Sequence, residues 1–304
     1  MAAAQPTRRG VLTAMFTASP ALLPSATRGV LAVSGSRIPA YAEAIEGLRA
    51  GCTGCDFRVL LLDQLGKGEQ LCLLLNKAHA GVVVGVGSAA LQALRGCVPL
   101  PPLVATMILT PPGSARGQVG RVEATVTLDV PPETVLQRMR RLYPERKRMA
   151  LVRGPALGEG AAAEIRSSAQ RLGISLDILP CASPKDLLDS VEFLSQAYDF
   201  LWCLPDADLY QGPAVPALVL SAMRRRMPVV AFSEGMVRAG ALIGFYPDYR
   251  DIGVQTAEIV IRRIDGLPAP ARQGPRKVKT AVNERVARAL GIEAAAGPEV
   301  EVFR

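Results

Sequence analysis

Short, uninterrupted apolar runs alternate with segments of helical spacing along most of the chain. The first run, residues 29–34, leads through Ser34-Gly35-Ser36 into a helical pattern over residues 38–48. Strands that are apolar throughout and alternate with helices are typical of a parallel sheet covered on both faces. The pattern therefore predicts an α/β protein built from right-handed βαβ units.

The runs fall into two successive series and a returning tail. The predicted strands are residues 29–34, 57–62, 81–86, 103–109 and 123–128, then 149–153, 174–179, 200–203 and 228–232. The tail adds a strand at 241–245, a helix at 249–264 and a strand–helix pair at 278–290. Two such series predict two doubly wound parallel-sheet lobes, and the tail predicts a hinge that the chain crosses several times. The expected division is a leader (1–28), a first lobe (29–128 with 241–268) and a second lobe (129–240 with 269–304).

Composition narrows the class of protein. The 304 residues are 49% hydrophobic and 20% charged, which excludes a disordered chain. No window reaches the roughly 18 apolar residues that a membrane-spanning helix needs, so we expect no span. The net charge is +8, but the basic residues are spread over several predicted helices and only 5% of residues are aromatic. Solvated helix faces explain this charge better than a nucleic-acid site does.

The N-terminal residues have the order of an export signal. Arg8 and Arg9 precede an apolar stretch over residues 11–23, and the small residues Ser25 and Ala26 follow it. Prolines interrupt the stretch, so a disordered cytosolic leader is the alternative. We expect export to the periplasm, with a cytoplasmic protein as the alternative location.

Six cysteines offer little chemistry. Cys52-Thr53-Gly54-Cys55 has the spacing of a redox pair, half a metal site or a short disulfide. A redox pair needs a helix N-terminus, whereas this pair falls where a predicted helix ends. The other four cysteines lie in apolar runs and are interpreted as small core residues: Cys72, Cys97, Cys181 and Cys203.

Catalytic motifs are missing from the sequence. The single histidine, His79, ends a predicted helix and is interpreted as structural. The glycines after residue 153 lack the lysine of a phosphate-binding loop, and Gly85 and Gly87 lack the third glycine of a dinucleotide fingerprint. We therefore predict no catalytic residue, no metal and no cofactor, with a Rossmann-type enzyme as the less favoured alternative.

Polar residues follow two strands of the second series. Asp206 and Asp208 come after the strand at 200–203, and Ser233 and Glu234 come after the strand at 228–232. The carboxyl ends of parallel strands are the usual ligand-binding edge of such sheets. The same residue types also cap helices, so ligand binding and capping are both open interpretations.

Several segments resemble one protein family. They are Leu204-Pro205-Asp206, the runs 227–234 (MPVVAFSE) and 237–242 (VRAGAL), Tyr249-Arg250-Asp251-Ile252-Gly253, and residues 282–292. Together they resemble the ABC transporter substrate-binding proteins that include tryptophan-type receptors. The resemblance implies a type I periplasmic-binding-protein fold whose two lobes close on a ligand.

The resemblance also implies where the ligand binds. Carried over position by position, the ligand-binding residues are Ser34, Ser36, Gly87, Ser88, Asp206, Asp208, Ser233 and Glu234. Arg37 is a further candidate because it could pair with a ligand carboxylate. After the first strand of the second lobe such receptors often have a Tyr-Asn-Pro-like loop. This chain has Val152-Arg153-Gly154-Pro155 there, which leaves the identity of the ligand open.

The expected function is that of a solute receptor. We expect an amino acid or similar small molecule as the ligand and an ABC permease as the partner, with no nucleic acid bound. A transporter-independent sensor of the same fold is the alternative. A DNA-binding repressor is disfavoured because fewer than 30 residues precede the first strand.

Overall fold

The computed structural model describes residues 28–65, 68–109, 122–155, 157–206, 208–210 and 213–304. Apart from Arg28, the predicted leader therefore lies outside the described residues. The first series forms these elements: β1 (Gly29–Ser34), α1 (Pro39–Gly51), β2 (Asp56–Leu61), a 3-10 turn (Leu62–Gln64), α2 (Gly68–Ala78), β3 (Val82–Val86), α3 (Ser88–Leu94), β4 (Leu103–Ile108) and β5 (Val122–Thr127).

The second series and the tail follow the predicted order. The second series forms α4 (Pro132–Leu142), β6 (Arg148–Arg153), α5 (Glu159–Arg171), β7 (Ser175–Pro180), α6 (Pro184–Ala197), β8 (Phe200–Cys203), α7 (Ala214–Arg224), β9 (Val229–Ala231), α8 (Glu234–Ala239) and β10 (Ile243–Pro247). The tail forms α9 (Tyr249–Ile264), β11 (Arg272–Gln273), β12 (Val278–Asn283), α10 (Glu284–Leu290) and β13 (Val300–Phe303).

The strands form two separate sheets. The first sheet has six strands in the order β11-β5-β4-β3-β1-β2, and the second has seven in the order β13-β12-β10-β9-β8-β6-β7. Every neighbouring pair is parallel except β10 with β12. We call the first sheet with α1, α2, α3 and α9 the first lobe, and the second sheet with its remaining helices the second lobe. The predicted fold class, two parallel-sheet lobes, is confirmed.

Two segments belong to the other lobe than the sequence suggests. The strand β10 falls in the range predicted for the first lobe, yet it pairs with β12 of the second sheet from Ile243↔Val282 to Pro247↔Val278. The short strand β11 falls in the range predicted for the second lobe, yet it pairs with β5 of the first sheet. Both differences arise because strand pairing is non-local, whereas the apolar pattern reports only that a strand is present.

The chain passes between the lobes at three places. Residues 128–131 join β5 to α4, Asp248 joins β10 to α9, and residues 274–277 join β11 to β12. The backbone N–H of Asp248 donates to the carbonyl oxygen of Lys277 at 3.0 Å, so two of these crossings are bonded together. Asp129 of the first crossing pairs with Arg272 of β11 at 3.1 Å. The first crossing is therefore tied to the strand that leads into the third.

Helices α1 and α9 of the first lobe pack with their backbones close together. A Cβ atom on Gly47 would lie 2.0 Å from the carbonyl oxygen of Arg250, and one on Gly253 would lie 2.0 Å from that of Ala44. Real atoms never approach so closely, so only glycine fits at these two positions. The close contact holds the N-termini of α1 and α9 side by side at the junction of the lobes.

The cysteines differ from the prediction in one respect. Cys72 and Cys97 form a disulfide between α2 and the segment after α3, although both were interpreted as small core residues. Their spacing of 25 residues has no sequence signature, and only the packing of α2 on α3 brings them together. Cys52 and Cys55 are free thiols. Burial, followed by the neighbouring Cys55, raises the pKa of Cys52 to about 12, so its reactive thiolate is scarce.

Candidate functional site

The carboxyl ends of the parallel strands in both lobes border the junction between them. The first crossing leaves β5 at its carboxyl end, and β1 to β4 run parallel in the same sheet, so their carboxyl ends share that edge. The second crossing likewise leaves β10 at its carboxyl end. Strands β6 to β9 run parallel to β10, so their carboxyl ends lie at the same edge of the second sheet. We call the loops after β1 to β4 the first rim and the loops after β6 to β9 the second rim. Both rims therefore line the space between the lobes.

In the first rim, the loop after β1 is held by its own serine. The Ser34 side chain is buried, and its hydroxyl donates to the carbonyl oxygen of Ser36 at 2.9 Å. Gly35 N–H donates to the carbonyl oxygen of Val86 at 3.4 Å, which joins this loop to the end of β3. Ser36 is half-buried and Arg37 is exposed. Ser34 thus shapes the loop, while Ser36 and Arg37 are the groups open to the junction.

The next loop of the first rim depends on a glycine. Gly87 has φ +84°, a conformation that other residues rarely adopt, and its N–H donates to the carbonyl oxygen of Thr106 at 2.9 Å. A Cβ there would lie 2.3 Å from the hydroxyl oxygen of Tyr41, so the Tyr41 ring covers this turn. Ser88 is exposed at the start of α3. Burial raises the pKa of Tyr41, which is therefore a neutral hydrogen-bonding group.

The second rim is organised around Asp206. Its Oδ1 accepts hydrogen bonds from the N–H groups of Asp208 at 2.9 Å and Leu209 at 3.2 Å. Its Oδ2 lies directly over Gly154, where a Cβ would be only 2.1 Å away. The loop after β6 and the loop after β8 therefore meet through a carboxylate and a glycine. Asp208 itself is exposed.

The loop after β9 caps a helix. The Ser233 hydroxyl accepts a hydrogen bond from the N–H of Met236 at 3.3 Å, and Glu234 pairs with Arg238 at 2.6 Å one turn along α8. The structure thus shows the capping interpretation at Ser233. Asp206 instead stabilises a turn, because the next helix, α7, begins only at Ala214. Ligand binding by the predicted residues of either rim stays a prediction.

A cavity of about 570 Å³ opens in the second rim. It lies between the loops that follow β6 and β7, and its lining residues are Arg153, Gly154, Pro155, Leu157, Gly158, Glu159, Pro180, Cys181, Ala182 and Asp186. Asp206 adjoins the cavity through its contact with Gly154. The rings of Tyr210 and Phe232 pack edge to face with their centroids 5.2 Å apart, on the next two loops of the same rim.

Charged side chains near the start of α1 in the first lobe interact electrostatically with charged side chains of the second lobe. Burial raises the pKa of Glu43 on α1, and Glu234 and Asp248 raise it further, while Lys279 of β12 lowers it. Glu43 belongs to the first lobe, and Glu234 and Lys279 belong to the second. The start of α1 and the start of α8 are therefore close enough for their charges to interact across the junction.

The described residues contain no metal site, no membrane-spanning helix and no histidine at the rims. Within the ranges that the structure describes, no three histidine, cysteine or acidic residues are placed to hold a metal ion. No helix in that part of the chain has the length and apolar character of a membrane span. His79 is exposed beyond the end of α2, at the amino ends of the strands, and so lies on the edge opposite the first rim.

The profile of one family, described as ABC transporter substrate binding protein, matches residues 69–296. This is about three quarters of the chain. The chain belongs to the ABC transporter substrate-binding protein family. The resemblance inferred from the sequence is thereby confirmed. A search of curated proteins returned no significant match.

Solved structures share the fold at low sequence identity. The ligand-free, open structure of a substrate binding protein with adhesive properties from Clostridium difficile is 16% identical with a TM-score of 0.71, over 91% of this chain and 99% of that one. A domain from Streptococcus pneumonia in complex with L-Trp is 18% identical with a TM-score of 0.60, over 90% and 100%. A periplasmic ribose ABC transporter protein from Conexibacter woesei is 16% identical with a TM-score of 0.56, over 88% and 95%. These similarities show a shared substrate-binding-protein fold.

Sequence reasoning missed Tyr41 as a member of the first rim, and it named Arg153 only as part of a loop that departs from the family pattern. Tyr41 had a local signal, since an aromatic residue in the first turn of a helix after a serine-rich loop can fold back over that loop. Arg153 ends an apolar strand with the pattern MALVR, which indicates only that the strand stops there. Its place in a cavity depends on the loop after β7, a neighbour that sequence order does not reveal.

Proposed function

We propose that this chain is the exported solute receptor of an ABC transport system and binds an amino acid or similar small polar molecule between its lobes. The observation that carries the proposal is that both rims line one junction, which three bonded crossings span. A ligand that contacts both rims binds the closed form more tightly than the open form, and this difference in affinity drives closure. The closed form is then what a permease recognises.

The charges of the two rims favour a ligand with both an ammonium and a carboxylate group. The second rim contributes the carboxylates of Asp206 and Asp208. The first rim contributes the exposed Arg37, whose guanidinium suits a carboxylate. Asp206 is preorganised, because two backbone N–H groups fix one of its oxygens. It can hold an ammonium group without reordering its own side chain.

The disulfide supports export. Disulfides persist in oxidising compartments and are rare in the cytosol, so the bond between Cys72 and Cys97 suits a periplasmic or extracellular protein. The order of basic, apolar and small residues before residue 28 agrees with this location. No catalytic step is part of the proposal, since the described thiols at the rims are buried and burial raises the pKa of Cys203 to about 12.

The test is a thermal-shift screen of the purified protein with the common amino acids and small sugars. A ligand at one hundred times its Kd stabilises the folded state by about 2.7 kcal/mol, which raises Tm by several degrees. Asp206→Asn should reduce the shift, whereas Asp189→Asn, an exposed control on α6, should leave it unchanged. If no small solute stabilises the wild-type protein, the proposal is wrong.

A further inference from the structure

The second rim contains a cation that is mostly buried. Arg153 is the last residue of β6, and its side chain is only 22% exposed where it lines the cavity. Guanidinium groups do not lose their charge in proteins, so this position carries a permanent positive charge inside the cavity. A buried charge of this kind needs an anionic partner.

The partner that Arg153 has is poorly buried. Within the described part of the chain its ion-pair partner is Glu159, which one guanidinium nitrogen contacts. The Glu159 side chain is 76% exposed and begins α5, where the helix dipole stabilises a carboxylate without help from Arg153. Asp186, the other acidic group of the lining, is exposed in the first turn of α6. Both carboxylates can therefore turn to water, whereas Arg153 cannot.

We infer that the cavity takes an anionic group of the ligand, which replaces Glu159 on the Arg153 guanidinium. The guanidinium can form a two-pronged pair with a planar carboxylate, in place of its single contact with Glu159. This inference rests on the proposed function and narrows it. The ligand is an amino acid with a second carboxylate on its side chain, whose ammonium group lies toward Asp206 and whose side chain enters the cavity.

The opposite assignment, a cationic side chain bound by Glu159 and Asp186, is less favourable. A cation in the cavity would lie beside the buried Arg153 and be repelled by it. It would also draw two solvated carboxylates out of water. An anion instead pairs with the partly buried Arg153 guanidinium, and the carboxylates of Glu159 and Asp186 stay hydrated.

Matched pairs of probes test the inference. Isothermal titration of the full chain compares L-glutamate with L-glutamine and L-aspartate with L-asparagine, since the members of each pair differ mainly in charge. We expect the acidic member of at least one pair to bind ten times or more tightly than its amide. Arg153→Met should abolish this preference and Arg153→Lys should reduce it. Glu159→Gln should preserve or strengthen it, because a competitor is removed.

Each outcome decides a separate question. If the amides bind as tightly as the acids, or if the preference survives in Arg153→Met, the inference is wrong. If Arg153→Met does not fold, a loss of acid binding in Glu159→Gln overturns it instead, because that result makes Glu159 the ligand-binding group. A neutral amino acid that binds while neither acid does overturns the inference but leaves the proposed function standing. If no amino acid or other small solute binds, the proposed function fails.

Discussion

The contact between Gly154 and Asp206 can be tested by adding one methyl group. In Gly154→Ala the new Cβ would lie 2.1 Å from Oδ2 and 2.6 Å from Cγ of Asp206, so the carboxylate must move. Its Oδ1 then leaves the two N–H groups that it accepts from, those of Asp208 and Leu209. Each hydrogen bond of this kind contributes about 0.5–1.5 kcal/mol to stability, and the steric cost adds to their loss. We expect a loss of about 2 kcal/mol in the free energy of unfolding.

A double-mutant cycle measured by urea unfolding isolates this effect. In an Asp206→Ala background the added methyl group meets no carboxylate, so Gly154→Ala should cost less than half as much there. Gly160→Ala is the matched control, because nothing lies within 4 Å of its added Cβ, and it should be neutral or slightly stabilising. Additive effects in the cycle would refute the idea that Gly154 is present to make room for Asp206. Ligand affinity should fall in Gly154→Ala in parallel with its stability.

Three further predictions concern the rest of the fold. Removing the Cys72–Cys97 disulfide with paired serine substitutions should cost about 3 kcal/mol, and dithiothreitol should then have no effect on Tm; an unchanged Tm in the serine variant would contradict this. Gly47→Ala should cost about 1–3 kcal/mol in urea unfolding because its Cβ would meet a backbone oxygen of α9, whereas Gly235→Ala, whose Cβ meets nothing within 4 Å, should be tolerated. The pKa of Glu43 is raised from 4.5, chiefly by burial, so its ionisation weakens the folded state as pH rises through the folded-state pKa. Glu43→Gln should therefore be more stable than the wild type at pH 7, with the difference fading below about pH 4 in denaturant titrations; a constant difference would count against this origin.

The local elements and the family could be recognised from the order of residues alone. Strands such as β1, β3 and β6 are buried on both faces, so each is a continuous apolar run that needs no knowledge of its neighbours to be recognised. Small and capping residues mark where each strand becomes a loop, which is why Gly87, Asp206 and Ser233 were predicted at the rims. These signals depend on the chain immediately around them.

Which distant segments meet could be seen only in the folded protein. Three contacts join residues that are between 25 and 52 positions apart in the sequence. They are the pairing of β10 with β12, the disulfide between Cys72 and Cys97, and the contact of Asp206 with Gly154. Periodicity records burial but not the partner that provides it. The cavity around Arg153 arises for the same reason, because two parallel strands place their loops side by side only after the sheet has formed.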